Sequence, residues 1–318
     1  MSTAEVIALF GPTGVGKTDV AIALAERLRE VGESPVAVSA DALQVYAGLE
    51  TLTGAAGPHQ RAQLEHRLLS FLPVDATFSV GQYAELAHAE IDGLLEGGRR
   101  PIVVGGTGLY LRAALTELSL RPVPAEGVRE RWIAELEARG PAALHAILAR
   151  RAPWAAEAIE PADRQRIVRA LELLDSGDDL EPPSGESELW TAETRRSTLL
   201  VGLVMDRALL YEQIDARVDQ MLADGVEEEV RRAQSSGASD TARKALGFDE
   251  LLSGDIDQMK RRTRNYARRQ LTWMRKLAGV TVIDRTARSA QHIADEIFTA
   301  WRAPAAVPPL RTPPRTGT

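Results

Sequence analysis

The stretch from Phe10 to Leu28 reads FGPTGVGKTDVAIALAERL, and its first half fits the phosphate-loop pattern G-x-x-x-x-G-K-[ST]. This pattern constrains the fold because it operates between a β-strand and an α-helix, where glycines let backbone N–H groups face an anion at the helix N-terminus. The flanking residues satisfy this requirement, since Val6 to Phe10 form an apolar, strand-like run and Val20, Leu24 and Leu28 recur with helical spacing. The chain is therefore expected to contain an α/β core with a phosphate site.

Each residue of this loop is a candidate phosphate ligand. Lys17 would bridge phosphate oxygens, and the hydroxyl of Thr18 would bind Mg²⁺, the cofactor that the pattern predicts. A glycine turn beside a surface lysine is the alternative, but the strand before the loop and the helix after it favour the phosphate site. The candidate ligands are Gly11, Pro12, Thr13, Gly14, Val15, Gly16, Lys17 and Thr18.

Asp41 is the carboxylate that a metal-dependent phosphate site would require at the end of a second apolar strand. It ends the run VAVSAD, whereas the other candidate run, PIVVGGTG, continues into glycines without an acid. Three roles are compatible with this position: a turn or helix-cap residue, a partner of the metal ion, or a general base for an incoming nucleophile. The residues alone leave these three roles open.

Apolar runs and helical spacing predict an α/β fold, with a P-loop NTPase-like parallel sheet core flanked by helices and a helical insertion lobe. Besides the first strand, strand-like runs occur at Val36–Ser39, Pro101–Val104, Leu199–Met205 and Val280–Ile283. Helical patterns separate these runs, and such alternation favours parallel pairing of the strands.

The insertion is predicted from the segment 119–198, which contains no strand-like run and reads as successive amphipathic helices. Residues 1–118 and 199–302 would then form the core with its C-terminal helices. Residues 303–318 are rich in proline and are expected to be a disordered tail.

Composition excludes several classes of protein. The formal charge of −7 argues against a uniformly basic, histone-like binder, and the absence of cysteine excludes disulfides, thiolate zinc sites and a cysteine nucleophile. No apolar run is long enough to span a membrane, and the first residues lack the basic region of a signal peptide. We therefore expect a cytoplasmic protein without a membrane partner. A monomer is expected.

Seven motifs, in order along the chain, make the sequence similar to one family. They are GPTGVGKT, SADALQVYAGL, GGTGLYLRAAL, DRQRIVRALELL, RVDQMLADGVEEEV, KALGFDEL and TRNYARRQLTWMRK. On these motifs, residues from about 5 to 286 resemble the IPP transferase family of bacterial tRNA dimethylallyltransferases (tRNA delta(2)-isopentenylpyrophosphate transferases), which prenylate N6 of the adenosine beside the anticodon. The phosphate loop is common to many families, but this ordered set is highly specific.

The resemblance implies that the loop binds the diphosphate of dimethylallyl pyrophosphate and that Asp41 is the general base for N6 of adenosine-37. It also implies that Thr107, in GGTG, lies near the pyrophosphate and the target nucleotide, and that Arg217 is a second positive contact to the diphosphate. From the residues alone, an arginine such as Arg217 is more often a solvated helix residue. The implied catalytic residues are Asp41, Thr107 and Arg217.

The tRNA anticodon stem-loop is the partner that the resemblance implies. Lys260–Lys276 contains eight Lys/Arg and no acid, and on a helical wheel Arg264 and Arg268 share one face beside aromatic residues. A solvated basic face is the alternative for such a run. By the same resemblance, DRQRIVR contacts the anticodon arm and residues 41–44 lie near the adenine. The candidates for tRNA binding are Asp41, Ala42, Leu43, Gln44, Arg129, Gln165, Arg166, Arg169, Arg264 and Arg268.

The residues leave several alternatives open. Gln44, three residues after Asp41, either hydrogen-bonds the adenine edge or caps a turn. The sequence departs from the usual family pattern at Ala42, where serine is common, at LTGAAGP, which replaces IGTAKP, and at APW, where DP is typical. Two other functions are also compatible: an isopentenyltransferase that acts on free adenine nucleotides, and a P-loop kinase whose loop binds ATP.

Overall fold

The computed structural model describes residues 4–121, 125, 127–180 and 188–303. In these residues the strands are β1 Val6–Phe10, β2 Pro35–Ser39, β3 His66–Arg67, β4 Arg100–Gly105, β5 Thr198–Val204 and β6 Thr281–Asp284. The helices are α1 Lys17–Arg29, α2 Glu50–Thr53, α3 Pro58–Gln63, α4 Val80–Glu96, α5 Gly108–Leu115, α6 Val128–Arg151, α7 Pro153–Ala158, α8 Arg164–Asp175, α9 Arg207–Ala223, α10 Val226–Ser235, α11 Phe248–Ser253, α12 Ile256–Met274 and α13 Ala290–Arg302. A 3₁₀ turn covers Ala242–Lys244.

All of the described strands are parallel and form one sheet in the order β3-β2-β4-β1-β5-β6. β1 lies in the middle of the sheet, where Ile7 pairs with Ile102 of β4 and Leu199 of β5. The α/β fold with a parallel sheet is confirmed, and every predicted strand agrees with the structure to within one residue at each end. The edge strand β3 was not predicted, because two residues are too few for a periodic signal.

The side chains of β1 alternate between two apolar cores, so helices are needed on both faces of the sheet. Ile7 and Leu9 belong to the core that α1 and α13 cover. The other three residues of β1 belong to the core that α4 and α5 cover on the opposite face. All five residues are buried, which is why this strand reads as a continuous apolar run rather than as an alternating one.

A third apolar core surrounds the segment that follows β2. Tyr46 and Leu49 of this segment belong to the same core as residues of α9, α10 and α11. Glu229 of α10 is buried, and its carboxylate accepts hydrogen bonds from the backbone N–H groups of Thr51 and Leu52 at 3.0 and 2.8 Å. These contacts hold the segment after β2 against the C-terminal helices.

The chain divides into two compact units, one of residues 1–118 and 189–318 and the other of residues 119–188. The smaller unit contains α6, α7 and α8, which share an apolar core. α6 breaks at Gly140, where φ is 77°, directly before Pro141. The sequence predicts this break, since it indicates one helix that ends at Arg139 and another that begins at Pro141.

Residues 189–198 belong to the larger unit, although the sequence predicted them to be part of the insertion. Trp190 packs on Trp273 of α12, with ring centroids 4.6 Å apart. The guanidinium of Arg195 forms an ion pair with Asp92 of α4 at 2.9 Å. Both contacts join residues that are far apart in sequence, so a local pattern carries no sign of them.

The C-terminal helices end near their predicted limits. Helical spacing in the sequence predicts a helix from about Asp257 to Ala278, and the structure has α12 there, which ends at Met274. α13 ends at Arg302, and the predicted disordered tail lies, from residue 304 onward, outside the described residues. Among the helices that the structure describes, none combines the length and apolarity that crossing a bilayer requires.

The carboxyl ends of β1, β2 and β4 lie at the same edge of the sheet because these strands are parallel. The phosphate loop follows β1, Asp41 comes two residues after β2, and Thr107 comes two residues after β4. Open α/β sheets bind their ligands in the crevice outside the carboxyl ends of the strands. The topology therefore brings three separate motifs to one place.

Candidate active site

A cavity of about 560 Å³ lies at the carboxyl edge of the sheet, within the larger unit. The phosphate loop contributes to its wall, together with the segments that follow β2 and β4. Arg217 from α9 and Tyr266 and Gln270 from α12 also line it. Asp41 and Thr107 lie in the same wall, so the structure brings the predicted catalytic residues together with the loop.

The phosphate loop has the backbone that an anion site requires. Gly14 and Gly16 have φ angles of 83° and 76°, in the left-handed region that favours glycine, and α1 begins immediately afterwards. The N-terminus of α1 opens on the cavity through Lys17 and Thr18, which gives an anion access to unpaired N–H groups. Of the eight predicted ligands, five line the cavity, whereas Gly11, Pro12 and Val15 are buried and do not line it.

Lys17 is held by the backbone of its own loop. Its Nζ donates to the carbonyl oxygens of Gly11 at 2.9 Å and Pro12 at 3.0 Å. Burial lowers the pKa of Lys17 to about 8, although the nearby carboxylate of Asp41 acts in the opposite direction. Among the described residues no carboxylate lies within ion-pair distance of Lys17, so an anionic ligand would supply the missing partner.

Arg217 projects from α9 into the same cavity, and burial lowers the pKa of its guanidinium. Its Nη2 lies 3.5 Å from the carbonyl oxygen of Thr53, and a Cβ on Gly54 would be 1.3 Å from this nitrogen. Gly54 therefore leaves the space that the guanidinium fills. In the described part of the chain Arg217 also lacks a carboxylate partner, and two such cations beside one cavity favour a multiply charged anion.

Asp41 closes a turn and also faces the cavity. Its Oδ1 accepts a hydrogen bond from the backbone N–H of Leu43 at 3.0 Å, which is the turn role considered from the sequence. Its Oδ2 accepts from the hydroxyl of Thr107 at 3.3 Å, and Thr107 Oγ1 lies 3.3 Å from the hydroxyl oxygen of Tyr266. Burial raises the pKa of Tyr266 to about 12, which keeps this hydroxyl protonated. Both carboxylate oxygens of Asp41 are thus oriented.

Gln44 lies in the cavity wall, and its side chain hydrogen-bonds to residues that come before and after it in the chain. Its Nε2 donates to the carbonyl oxygens of Thr53 and Gly54 at 3.4 and 3.3 Å, and its Oε1 accepts from the hydroxyl of Ser39 at 3.3 Å. Gln44 therefore has the local role that was one of its two predicted alternatives. A contact with adenine stays a prediction. The two residues before Gln44 line the same wall.

Oxygen atoms in the cavity fit a magnesium ion. Thr18, Asp19 and Asp41 line it, and hydroxyl and carboxylate oxygens are ligands that Mg²⁺ prefers. Within the residues that the structure describes, no group of three or more acidic, histidine or cysteine side chains could hold a metal by itself. An ion at Thr18 would therefore share its coordination with phosphate oxygens and water, as Mg²⁺ usually does.

The two predicted RNA contacts on α12 differ in their surroundings. Arg268 is exposed and forms no ion pair with any described residue. Arg264 is half-buried, and its Nη1 lies 2.5 and 2.7 Å from the carboxylate oxygens of Asp215 on α9. The Arg264 guanidinium also lies over the ring of Tyr211, 5.9 Å from its centroid. Arg268 is therefore available to a phosphate, whereas Arg264 is engaged within the protein.

The smaller unit contains the other predicted RNA contacts. Gln165 and Arg166 are exposed on α8. Arg129 and Arg169 both form ion pairs with Glu172, at 3.0 and 3.3 Å. Because Glu172 is completely buried, it fixes these two guanidinium groups, each of which carries further N–H donors.

Comparison with known proteins identifies the family. The sequence model of the family described as IPP transferase matches residues 44–277. The chain belongs to the IPP transferase family. It is 41% identical over 287 residues to the tRNA dimethylallyltransferase of Thermobifida fusca, with 87% of this chain and 88% of the relative covered. It is 39% identical over 283 residues to the tRNA dimethylallyltransferase of Streptomyces coelicolor, with 86% and 88% covered.

A solved IPP transferase has the same fold. The crystal structure of the full-length tRNA isopentenylpyrophosphate transferase from Bacillus halodurans matches with a TM-score of 0.66 at 32% identity, covering 94% of this chain and 97% of that chain. The family resemblance drawn from the seven motifs is confirmed. The roles of the individual site residues stay predictions.

Two residues of this IPP transferase site were not predicted. Gln270 is buried; its Oε1 accepts from the backbone N–H of Thr13 at 2.8 Å, and its Nε2 donates to the carbonyl of Gly106 at 2.7 Å. The N–H of Thr13 is therefore bound within the protein, contrary to the expectation for a phosphate-loop amide. Tyr266, four residues before Gln270, contacts Thr107. The sequence contained a signal for both residues, because polar side chains beside the buried face of an amphipathic helix need hydrogen-bond partners.

Proposed function

We propose that this chain transfers a dimethylallyl group from dimethylallyl pyrophosphate to N6 of adenosine-37 in tRNA and releases pyrophosphate. The observation that carries the proposal is the cavity in which Lys17 and Arg217, without carboxylate partners among the described residues, line the same wall as Asp41. Two cations suit a diphosphate, and one oriented carboxylate suits the removal of a proton from an amine. The names of the relatives from T. fusca and S. coelicolor support the same conclusion.

The transfer breaks the bond between C1 of the allylic group and a diphosphate oxygen, and it forms a bond between C1 and N6. The diphosphate leaves with the electron pair, and Lys17, Arg217 and the N–H groups at the start of α1 stabilise its growing charge. N6 gives up one proton, which the carboxylate of Asp41 accepts. The donors of Leu43 and Thr107 keep this carboxylate in one orientation.

Apolar side chains in the cavity wall provide a surface for the five-carbon tail. Leu52, Val218, Met221 and Met259 all line the cavity. Such a surface excludes water, which would otherwise capture an allylic, cation-like carbon. The cavity therefore offers cationic side chains and apolar side chains, which suit the two ends of a prenyl diphosphate.

Magnesium is part of the proposal. Thr18 would hold the ion beside the diphosphate, with Asp19 or Asp41 as a further oxygen ligand. When bound, Mg²⁺ supplies positive charge that favours departure of the diphosphate. Lys17 and Arg217 supply the same kind of stabilisation from the protein itself.

The anticodon stem-loop of tRNA is the proposed partner. A base in a stacked loop must be extruded to reach such a cavity, and contacts to the backbone offset the loss of stacking. Arg268 on α12 and Arg166 on α8 are exposed and suit phosphate groups, and Gln44 lies in the cavity wall, where it could bind the adenine edge. A monomeric state and a cytoplasmic location stay predictions from the sequence.

The test combines purified protein, Mg²⁺ and labelled dimethylallyl pyrophosphate with unmodified tRNA, AMP or ATP. Label is expected in tRNA alone, and a matched tRNA with guanosine in place of adenosine-37 should take up none. Label in AMP would instead assign an isopentenyltransferase for free nucleotides. Hydrolysis of ATP without prenyl transfer would assign a P-loop kinase or ATPase.

A further inference from the structure

Arg285 follows β6 directly and contacts the phosphate loop from the far end of the chain. Its backbone N–H donates to the carbonyl oxygen of Val204 at 2.8 Å, which anchors the residue across the ends of β5 and β6. Its side chain is 14% exposed, and its Nη1 donates to the carbonyl oxygen of Val15. Its Nη2 lies 3.8 Å from Asp19 in the first turn of α1. Arg285 is not among the residues that line the cavity, so it contacts the loop outside the cavity wall.

The guanidinium of Arg285 occupies the space that a side chain at position 16 would need. A Cβ on Gly16 would lie 1.5 Å from Nη1 and 2.5 Å from Cζ of Arg285. Gly16 also has a φ of 76°, so both the backbone and this contact require glycine. The loop is therefore packed directly against Arg285, with no side chain between them.

The contact with Val15 fixes the direction of the next amide. In a trans peptide, the C=O of one residue and the N–H of the following residue point in opposite directions. Arg285 binds the Val15 carbonyl and does not line the cavity, so the N–H of Gly16 points away from Arg285, and Gly16 itself lines the cavity. In the described part of the chain no protein group accepts a hydrogen bond from this N–H, which leaves it for a ligand.

When no anion is bound, the positive charges beside the phosphate loop repel one another. The N-terminus of α1 already carries a positive partial charge, and Arg285 adds a full positive charge beside it. Asp19 compensates only in part, because its side chain is 57% exposed and 3.8 Å from the guanidinium. A diphosphate in the loop would interact favourably with the helix N-terminus and with Arg285 together.

We propose that Arg285 is a positioning residue for the diphosphate. It turns the N–H of Gly16 toward the ligand through the carbonyl of Val15, and it adds positive charge beside the loop. This role rests on the proposed function, because it takes a diphosphate as the ligand. The seven family motifs end at Lys276, so Arg285 belongs to none of them, although the resemblance extends to about residue 286.

The test compares Arg285→Gln and Arg285→Lys with a control, Arg288→Gln, whose arginine pairs with Glu296. Titration with inorganic pyrophosphate probes the loop directly, and steady-state kinetics separate KM from kcat. Arg285→Gln is expected to weaken pyrophosphate binding and raise the KM for dimethylallyl pyrophosphate about tenfold, as for the loss of one charge-assisted hydrogen bond, with kcat and tRNA affinity within about twofold. Arg285→Lys should weaken pyrophosphate binding about threefold, because lysine keeps the positive charge but lacks the planar set of N–H donors that arginine has. The control should match wild type.

The outcomes separate this inference from the proposed function. A folded Arg285→Gln protein, as judged by circular dichroism, that binds pyrophosphate as tightly as wild type would overturn the role of Arg285 and leave the proposed function intact. Equal losses in pyrophosphate and tRNA affinity would also overturn it, because they indicate a general structural effect. If Arg285→Gln does not fold, unchanged pyrophosphate affinity in Arg285→Lys contradicts the role. A wild-type protein that binds neither pyrophosphate nor dimethylallyl pyrophosphate refutes both proposals.

Discussion

Two cations beside one cavity, Lys17 and Arg217, dominate the site at the scale of single residues. Lys17 was predictable, because the motif itself places a lysine at the start of a helix. The surroundings of Arg217 were not, because its guanidinium fills space left by Gly54 and approaches Thr53, which is 164 residues earlier in the chain. A helical pattern reports spacing within one element and carries no information about such a distant loop.

The lowered pKa of Lys17 predicts a pH dependence. Since this pKa is about 8, the free protein loses the ammonium charge as the pH rises through that value. The KM for dimethylallyl pyrophosphate should therefore rise about tenfold per pH unit above about 8, and steady-state kinetics would measure it. The Lys17→Arg protein keeps its charge, so its KM should lack this rise. A wild-type KM that stays constant over the same range would contradict the assignment.

The same pKa shift makes the folded protein more stable as the pH rises, whereas it weakens the binding of the substrate. Between about 8 and 10.5, the lysine of the unfolded chain binds a proton that the folded protein has already released. The contribution of Lys17 to the free energy of unfolding therefore increases with pH across this window. Chemical denaturation at a series of pH values would show this increase in the free energy of unfolding of the wild type. Lys17→Met has no titrating group at position 17, so its free energy of unfolding should lack the part of the increase that comes from Lys17.

Asp41 has a turn role and a chemical role, and one substitution separates them. In Asp41→Asn, the amide oxygen can still accept from the N–H of Leu43, and the NH₂ group can donate to the hydroxyl of Thr107. Loss of the base should lower the single-turnover transfer rate about 10²–10⁴-fold, while tRNA affinity stays near that of wild type. Parallel losses in rate and affinity would instead assign Asp41 to folding or RNA binding.

Helix α12 shows what a single element contributes. Tyr266, Gln270 and Trp273 lie at positions i, i+4 and i+7, and all three contact the turn Gly106–Gly108. A Cβ on the first or last glycine of that turn would be 2.4 Å from Gln270 or 2.1 Å from Trp273. The sequence predicted the basic and apolar faces of α12. The sequence could not predict that α12 packs against the turn Gly106–Gly108, because Gly106 lies 164 residues before Gln270 in the chain.

Replacement of Gln270 tests this junction. Gln270→Leu would leave two backbone groups, the N–H of Thr13 and the carbonyl of Gly106, without their partner. Each orphaned buried polar group costs about 1–3 kcal/mol, so for two groups we expect the free energy of unfolding to fall by about 2–6 kcal/mol in urea titrations. Thr272→Ala, on the exposed side of α12, is the control and should change it by less than about 0.5 kcal/mol. Equal stability of Gln270→Leu and wild type would show that the junction contributes little.

The two arginines of α12 should respond differently to substitution. Arg268→Ala is expected to weaken RNA binding and to reduce the slope of log affinity against log salt concentration by about one, because one phosphate contact is lost. Arg264→Ala should change that slope less and lower the melting temperature more, since it leaves Asp215 unpaired. Titrations of a fluorescent anticodon stem-loop at several salt concentrations would measure both slopes. Identical slopes for the two variants would contradict the different roles of Arg264 and Arg268.

At the scale of the whole molecule, the fold was more predictable than the boundaries of its parts. Continuous apolar runs are typical of strands buried on both faces, and they revealed five of the six described strands. The start of the insertion agrees with the structure, whereas its end differs by ten residues, since residues 189–198 are held by Asp92 and Trp273. Short elements such as α2 and α3 escaped prediction because they are shorter than a periodic window.

The division into two units predicts how a ligand changes thermal unfolding. The smaller unit has its own apolar core, so two transitions are expected rather than one. Pyrophosphate at 100 times its Kd should stabilise the larger unit by about 2.7 kcal/mol and raise its melting temperature, while the other transition stays in place. Differential scanning calorimetry would measure both transitions. Equal shifts would indicate that the two units unfold together.

The order of the strands also determines when the protein can fold during its synthesis. β1 pairs with β5, which begins at Thr198, so at about 5–20 residues per second the ribosome leaves one edge of β1 uncovered for roughly 10–40 s. Nascent chains that stop before Arg285 would carry the phosphate loop without the residues that brace it. We therefore expect the newly made polypeptide to depend on chaperones, and C-terminal truncations to aggregate rather than to yield slow enzymes.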